Sequence, residues 1–242
     1  MNWLNELQFK SRRVYSQYGQ DGLIEFIFKN IGTTNKFCVE FGFNSCFIDG
    51  GSGANTARLI LEDGWKSLLL DENNENLSIN LHREPLSFEN IGSVFKKYEI
   101  PQNPDYVSID VDSIDLWLFK GMLFSGYRPR LISVEYNSNF PITISATVRA
   151  GTTWQNDAVY GASLLALNKL AEEFEYHLIC VEKPLDTFFV RNDLVHDRIN
   201  LLEFAKFTGI VSHQPPTQAR SKLFVQYPSL EPLVQTPWDH LF

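Results

Sequence analysis

KFCVEFGFNSCFIDGGSGANTARLILEDGWKSLLLDEN, residues 36–73, scans as strand, glycine-rich loop, short helix and second strand, and that order decides the fold. The run from Lys36 to Phe43 is almost wholly apolar or aromatic and carries Glu40 within it, the pattern of a strand buried on both faces of a parallel sheet. The loop behind it holds Gly42, Gly50, Gly51 and Gly53, and a side chain at Gly42 is expected to occupy ligand space. Asn55-Thr56 marks a helix start, and Ala57 to Asp63 is a helix closed by Gly64. The amides of such a helix start suit a carboxylate or a phosphate equally. The second strand, Lys66 to Leu70, ends in Asp71-Glu72, where an acidic side chain accepts both hydroxyl hydrogens of a ribose. Neither a G-x-x-x-x-G-K-[ST] loop nor a G-x-G-x-x-G follows the first strand. The plainer alternative is an ordinary βαβ unit whose glycines only make turns and whose Asp71 is solvated.

VEFG, GSGANT and GW-x-x-LLLD together resemble the cofactor half of class I S-adenosylmethionine-dependent methyltransferases, in the style of the FkbM-like family. SQYGQDG (Ser16 to Gly22) and SIDVDSID (Ser108 to Asp115) are similar to the same group, so the resemblance runs from about Tyr15 to Asp193. It departs at Asn44 to Asp49, which separates the first strand from the glycines that the family places directly after it. The resemblance implies S-adenosylmethionine as cofactor. The cofactor-binding candidates are Glu40, Gly42, Phe43, Asn55, Thr56, Asp71, Glu72 and, in the loop after the third strand where such enzymes hold adenine, Asn90 with Glu89. Asn90 serves equally as a cap of the following helix. By the same resemblance Gln17, Gln20 and Asp21 line a lid formed by about residues 1–32, unless Ser16 or Asp21 simply caps the helix that runs to Ile31.

A chain of 242 residues with 44% hydrophobic content supports one large α/β core, so a single domain is expected over residues 1–242, with a C-terminal tail from about 196. The net charge of -8 argues against general nucleic-acid binding. Cys38, Cys46 and Cys180 are too few and scattered for a disulfide framework, and no apolar run reaches membrane-spanning length. Residues 1–13 contain Glu6 and no signal-like apolar region, and the expected location is cytoplasmic. Leu4, Leu7 and Trp3 make an amphipathic start that docks on the chain's own domain, on a second subunit of a homo-oligomer or on a headgroup region.

Further strands are expected at Ser78 to His82, Tyr106 to Ile109 and Arg130 to Val134, and Tyr176 to Val181 with Thr187 to Arg191 makes a hairpin. A long helix is expected from Asp157 to Phe174. The expected fold is therefore a Rossmann-like, doubly wound, mostly parallel sheet ending in an antiparallel hairpin, the methyltransferase variant. Asp110, Asp112 and Glu135 fall at strand ends facing the ligand crevice and are the catalytic candidates. They orient a hydroxyl, hold a divalent metal such as Mg²⁺, or form a solvated rim. Asp115 fits the first turn of the helix Ile114 to Lys120 better than it fits the cluster. Residues 140–156 form a loop expected to take a small-molecule or glycan acceptor, Trp154 or Tyr160 stacking on a sugar face and Arg149 holding an anionic group, unless Trp154 is simply a core anchor for the loop, the favoured reading of an isolated Trp. His177 and His196 match no metal motif, and the tail beyond His196 offers one helix near Asn200 to Phe207.

The leading function is thus O-methyl transfer to a hydroxyl. A nucleotide-sugar or NAD-dependent enzyme shares the acidic strand end but lacks the dinucleotide fingerprint and a Tyr-x-x-x-Lys pair, and a non-catalytic Rossmann-like binding module is the third class.

Overall fold

Side chains along a strand point alternately to opposite faces, and this period sorts the molecule into its layers. The computed structural model describes residues 3–49, 54–195, 197, 199–207 and 213–242. In chain order it forms α1 (Leu4–Leu7), α2 (Gln20–Ile31), β1 (Phe37–Phe41), α3 (Ala57–Leu61), β2 (Lys66–Asp71), β3 (Leu81–Arg83), α4 (Ile91–Lys97) and β4 (Tyr106–Ile109). Then come α5 (Asp115–Phe124), β5 (Leu131–Glu135), β6 (Ala146–Val148), α6 (Leu164–Glu173), β7 (Tyr176–Glu182), β8 (Asp186–Arg191), α7 (Gln218–Ser221) and β9 (Phe224–Gln226).

Seven strands make one sheet in the order β3-β2-β1-β4-β5-β8-β7. The first five are parallel; β8 inserts antiparallel beside β5, and β7 closes the edge antiparallel to β8. This is the expected Rossmann-like, doubly wound α/β sheet with a terminal antiparallel hairpin. On one face Val39, Phe41, Val107, Ile109, Ile132 and Val134 pack under α4, α5 and α6. On the other Cys38, Tyr106, Leu131, Phe188 and Val190 pack against Leu4 and Leu7 of α1, Leu23, Ile24, Ile27 and Phe28 of α2, and Leu59 of α3. The N-terminal amphipathic stretch therefore docks on its own sheet layer.

Three expectations change. The helix expected from Asp157 begins only at Leu164, because the Ser163 hydroxyl accepts from the Ala166 amide and starts the helix there. Residues 157–162 are instead irregular, with single bridges from Asp157 to Gln214 and from Ala162 to Thr147. The stretch 140–156 is not a plain loop, since β6 lies within it and pairs antiparallel with β9 from the tail. Phe140, Ala146, Val148, Ala158, Val159, Phe224 and Trp238 form a core shared by insert and tail. The third strand begins at Leu81, three residues later than expected, with a 3-10 turn over Leu77–Ile79 in front of it. The helix expected near Asn200 to Phe207 is a 3-10 helix, Leu201–Phe207. Gly50, Gly51, Gly53 and His196 lie outside the described residues. No helix among the described residues is long and apolar enough to cross a membrane.

Candidate functional site

The strand alternation that buries Cys38, Tyr106, Leu131 and Phe188 on the α2 face carries Glu40, Ser108, Ser133, Glu135 and Asp186 to that same face, toward the carboxyl edge of the sheet. Polar groups buried there must find partners. The Tyr106 hydroxyl lies 2.7 Å from the Ser133 hydroxyl, which donates to Ser108 at 3.0 Å. Ser108 and Asp186 both accept from the Asn55 amide group, at 3.1 and 3.2 Å, and Gln20 donates to Asp186 at 2.8 Å. Glu40 accepts from the Asn55 amide at 2.8 Å, the Thr56 amide at 3.0 Å and the Thr56 hydroxyl. Burial raises the Glu40 carboxyl to about 7, and these donors oppose the rise. Glu40, Asn55 and Thr56, expected at the cofactor, thus hold one another at the start of α3, beneath the crevice.

Beyond this network stands the acidic cluster. Oxygens of Asp110, Asp115 and Glu135 all lie within 4.8 Å of one another. Asp112, which the sequence places in this group, is not one of the three; its backbone turns to φ 58° in the loop after β4 and its side chain lies on the cavity wall. Asp115 takes its place from the first turn of α5. One of its oxygens accepts from the Val111 amide at 2.8 Å, and the other is buried with no partner. Glu135 likewise has a buried oxygen without a partner. Burial first, then neighbouring carboxylates, drives the Asp110 and Glu135 carboxyls well above the usual range, and burial raises Asp115 to about 7. Asp186, held back by its hydrogen bonds from Gln20 and Asn55, is raised by burial to about 6. No Lys or Arg forms an ion pair with these groups among the described residues.

A cavity of about 480 Å³ opens along the same edge, from Asp71, Glu72 and Asn73 past Gly42 and Asn44 to Asp110 and Asp112. Its apolar wall comes from Pro85, Leu86, Val111, Ile114 and Leu118, and Thr152 to Trp154 of the insert reach its mouth. Asp71 accepts from the Asn44 amide at 2.9 Å with one oxygen, and from the Asn73 and Asn74 amides at 2.8 and 2.7 Å with the other. It ties two loops to the end of β2. Glu72 is exposed on the cavity wall and makes no hydrogen bond or ion pair among the described residues.

Compared with known proteins, the chain matches no family model, and no curated protein matches it. The site therefore rests on its own geometry. Phe43 points into a buried cluster with Ala57, Leu69 and Leu81, away from the cavity. Asn90 accepts from the Ser87 amide and donates to the Pro85 carbonyl, shaping the turn before α4, while Glu84, Pro85 and Leu86 supply the cavity wall where Glu89 and Asn90 were expected. Gly42 does line the cavity, but a Cβ there would sit 1.7 Å from the Asp110 carbonyl oxygen, and its φ is 73°. The close approach that excludes a side chain is thus between two strand ends. Asp21 gathers the amides of Val14, Tyr15 and Ser16 on one oxygen, and so shapes the turn into α2. Trp154 donates to the Asp157 carbonyl at 2.8 Å, and Tyr160 is buried. Arg149 is exposed and does not line the cavity.

The sequence placed Asp115 in the first turn of α5, where it stands, but not in the cluster that it also joins, and it missed Asp186. The alternation of Tyr106, Ser108 and Asp110, and of Leu131, Ser133 and Glu135, already marks a polar line at the strand ends. Asp186 opens the strand that runs antiparallel beside β5, so pairing alone sets it opposite Glu135.

Proposed function

We propose that the protein is an S-adenosylmethionine-dependent methyltransferase acting on a hydroxyl of a sugar, glycoconjugate or other small molecule. The observation that carries this reading is the cavity along the carboxyl edge of the sheet, which joins an acidic strand end at Asp71-Glu72 to Asp110 and Asp112 after β4, with Glu135 of β5 beside Asp110. Its volume suits a small-molecule ligand, and ligands of open α/β sheets bind at that edge. On this reading Glu72, with Asp71 behind it, accepts the ribose hydroxyls, and Pro85, Leu86, Ile114 and Leu118 cover the flat face of the base.

S-adenosylmethionine held along this cavity would supply the methyl group, the acceptor oxygen gaining the C–O bond as the electrons of the C–S bond pass to sulfur, and Asp110 borders the space an acceptor hydroxyl would enter. The hydroxyl proton passes to an ionised carboxylate of the cluster, whose hold on a proton is strengthened by burial and by its neighbouring carboxylates. Alignment of the two reactants supplies much of the rate.

Calorimetry with S-adenosylhomocysteine, NAD and a nucleotide sugar tests the reading. Binding of S-adenosylhomocysteine alone is the expected result. Binding of NAD or the nucleotide sugar in its place would transfer the site to the competing enzyme class, and binding of none would leave a non-catalytic module.

A further inference from the structure

Six carboxyl groups, those of Glu40, Asp110, Asp112, Asp115, Glu135 and Asp186, share one edge of the sheet. Glu40 has both oxygens bonded by Asn55 and Thr56, and one oxygen of Asp186 accepts from Gln20 and Asn55 while its other has no partner. Asp110, Asp115 and Glu135 converge, with the Val111 amide on one Asp115 oxygen as their support. Glu135 is 5% exposed and Asp115 fully buried, and each keeps an oxygen that accepts nothing. A building plan that fixes Asp115 by one oxygen on the Val111 amide and leaves the second facing the cluster presents a ligand atom on a rigid support. Unpaired buried carboxylates at this spacing repel one another strongly, and either protons or a cation must offset that repulsion.

We propose that Asp110, Asp115 and Glu135 form a divalent cation site. Three carboxylate oxygens within 4.8 Å of one another all reach a common ion at the roughly 2.0 to 2.6 Å typical of magnesium and calcium, after at most a small contraction. The donors are all hard oxygens, which select Mg²⁺, Mn²⁺ or Ca²⁺ over the zinc and copper preferred by thiolate and imidazole. Asp110 also borders the cavity, so water or an acceptor hydroxyl completes the coordination from that side. The site deepens the methyl-transfer reading and rests on it, because a cation there would position the acceptor hydroxyl and lower its pKa, taking over from the three ligating carboxylates the work of easing the loss of its proton.

Manganese titration into chelator-treated protein, followed by the electron paramagnetic resonance of free Mn²⁺ with and without S-adenosylhomocysteine, tests the site separately from the cofactor. One saturable ion per chain is expected, displaced by Mg²⁺ or Ca²⁺. Asp115→Asn keeps the oxygen that the Val111 amide needs and replaces the unpartnered one, and Glu135→Gln does the same for its side chain. Each is expected to weaken Mn²⁺ by about 100-fold or more, beyond the range seen for groups behind the ligands. Asp112→Asn, which removes a nearby charge but no ligand, is expected to weaken it by less than about tenfold. Circular dichroism confirms the fold of each variant, and Asp110→Asn substitutes for any that fails. Absence of saturable Mn²⁺ uptake in both conditions, or uptake unchanged in the ligand variants, overturns the cation site even if S-adenosylhomocysteine binds. Uptake that follows the expected variants in a protein that does not bind S-adenosylhomocysteine keeps the cation site and removes the methyl-transfer reading.

Discussion

Asp71 and Glu72 sit next to each other and are expected to behave differently when replaced. Glu72 is exposed on the cavity wall, so Glu72→Ala is expected to weaken S-adenosylhomocysteine by roughly 1 to 3 kcal/mol with the stability unchanged, the scale for a hydrogen bond to a charged acceptor. Asp71 holds the amides of Asn44, Asn73 and Asn74, and Asp71→Ala is expected to lower stability as well. Calorimetry paired with urea denaturation separates the two; equal stability for both variants would show that the Asp71 bonds are dispensable. Gly42→Val is expected to be strongly destabilised, because the obstacle is the Asp110 carbonyl and not a ligand. A stable Gly42→Val protein that had merely lost its ligand would restore the simpler expectation. Glu40 gives a pH dependence. Its folded pKa, about 7, lies above the ordinary 4.5, so between those values the native state binds more protons than the unfolded one and stability falls as pH rises. The stability of wild type relative to Glu40→Gln is therefore expected to drop by roughly 2 to 3 kcal/mol from pH 5 to pH 8. Denaturation midpoints that move in parallel for the two proteins would remove Glu40 as the cause.

At the scale of elements, the insert and the tail depend on each other. Phe224 of β9 stacks on Trp238, with ring centroids 5.7 Å apart, and meets Phe140 of the insert edge-on at 4.8 Å. Trp117 of α5 donates to the Val148 carbonyl of β6 at 2.8 Å and fixes this small sheet to the main one. Phe224→Ala is expected to cost about 3 kcal/mol or more. It is also expected to loosen Thr152 to Trp154 at the cavity mouth, seen as faster hydrogen exchange there. Protection unchanged across residues 140–160 would separate the tail from the mouth of the site. Strands buried on both faces were legible from the sequence because a continuous apolar run admits few other readings. The β6 and β9 pair was not, since three-residue strands whose partners lie 76 to 80 positions apart have too little local pattern to declare themselves.

For the whole molecule, linkage makes a simple check. Saturation at about 100 times the dissociation constant adds about 2.7 kcal/mol, which for a chain of this size raises the thermal midpoint by roughly 5 to 10 °C. S-adenosylhomocysteine is expected to produce that rise and NAD to produce none; a rise with NAD alone would favour the nicotinamide alternative.

Local sequence sufficed for the layers and for the succession of strands along the chain. Apolar runs, helix starts and the Pro-containing turn between β7 and β8 act over a few residues, and their succession leaves a doubly wound sheet with a terminal hairpin as the arrangement that buries them all. Asp110 and Glu135 were legible for the same reason, as the last polar residues of buried strands. The partition of carboxyl groups was decided only by tertiary structure. Whether Glu40 faces a ligand or a helix start depends on which face of β1 it occupies once α2 and α3 have packed. Whether Asp112 or Asp115 joins Asp110 and Glu135 depends on the path of one short loop and on the Val111 amide that fixes Asp115. Hydrophobic burial reads the average pattern of a segment, whereas a site is set by the direction of single side chains, and that direction follows from contacts made by residues far apart in the chain.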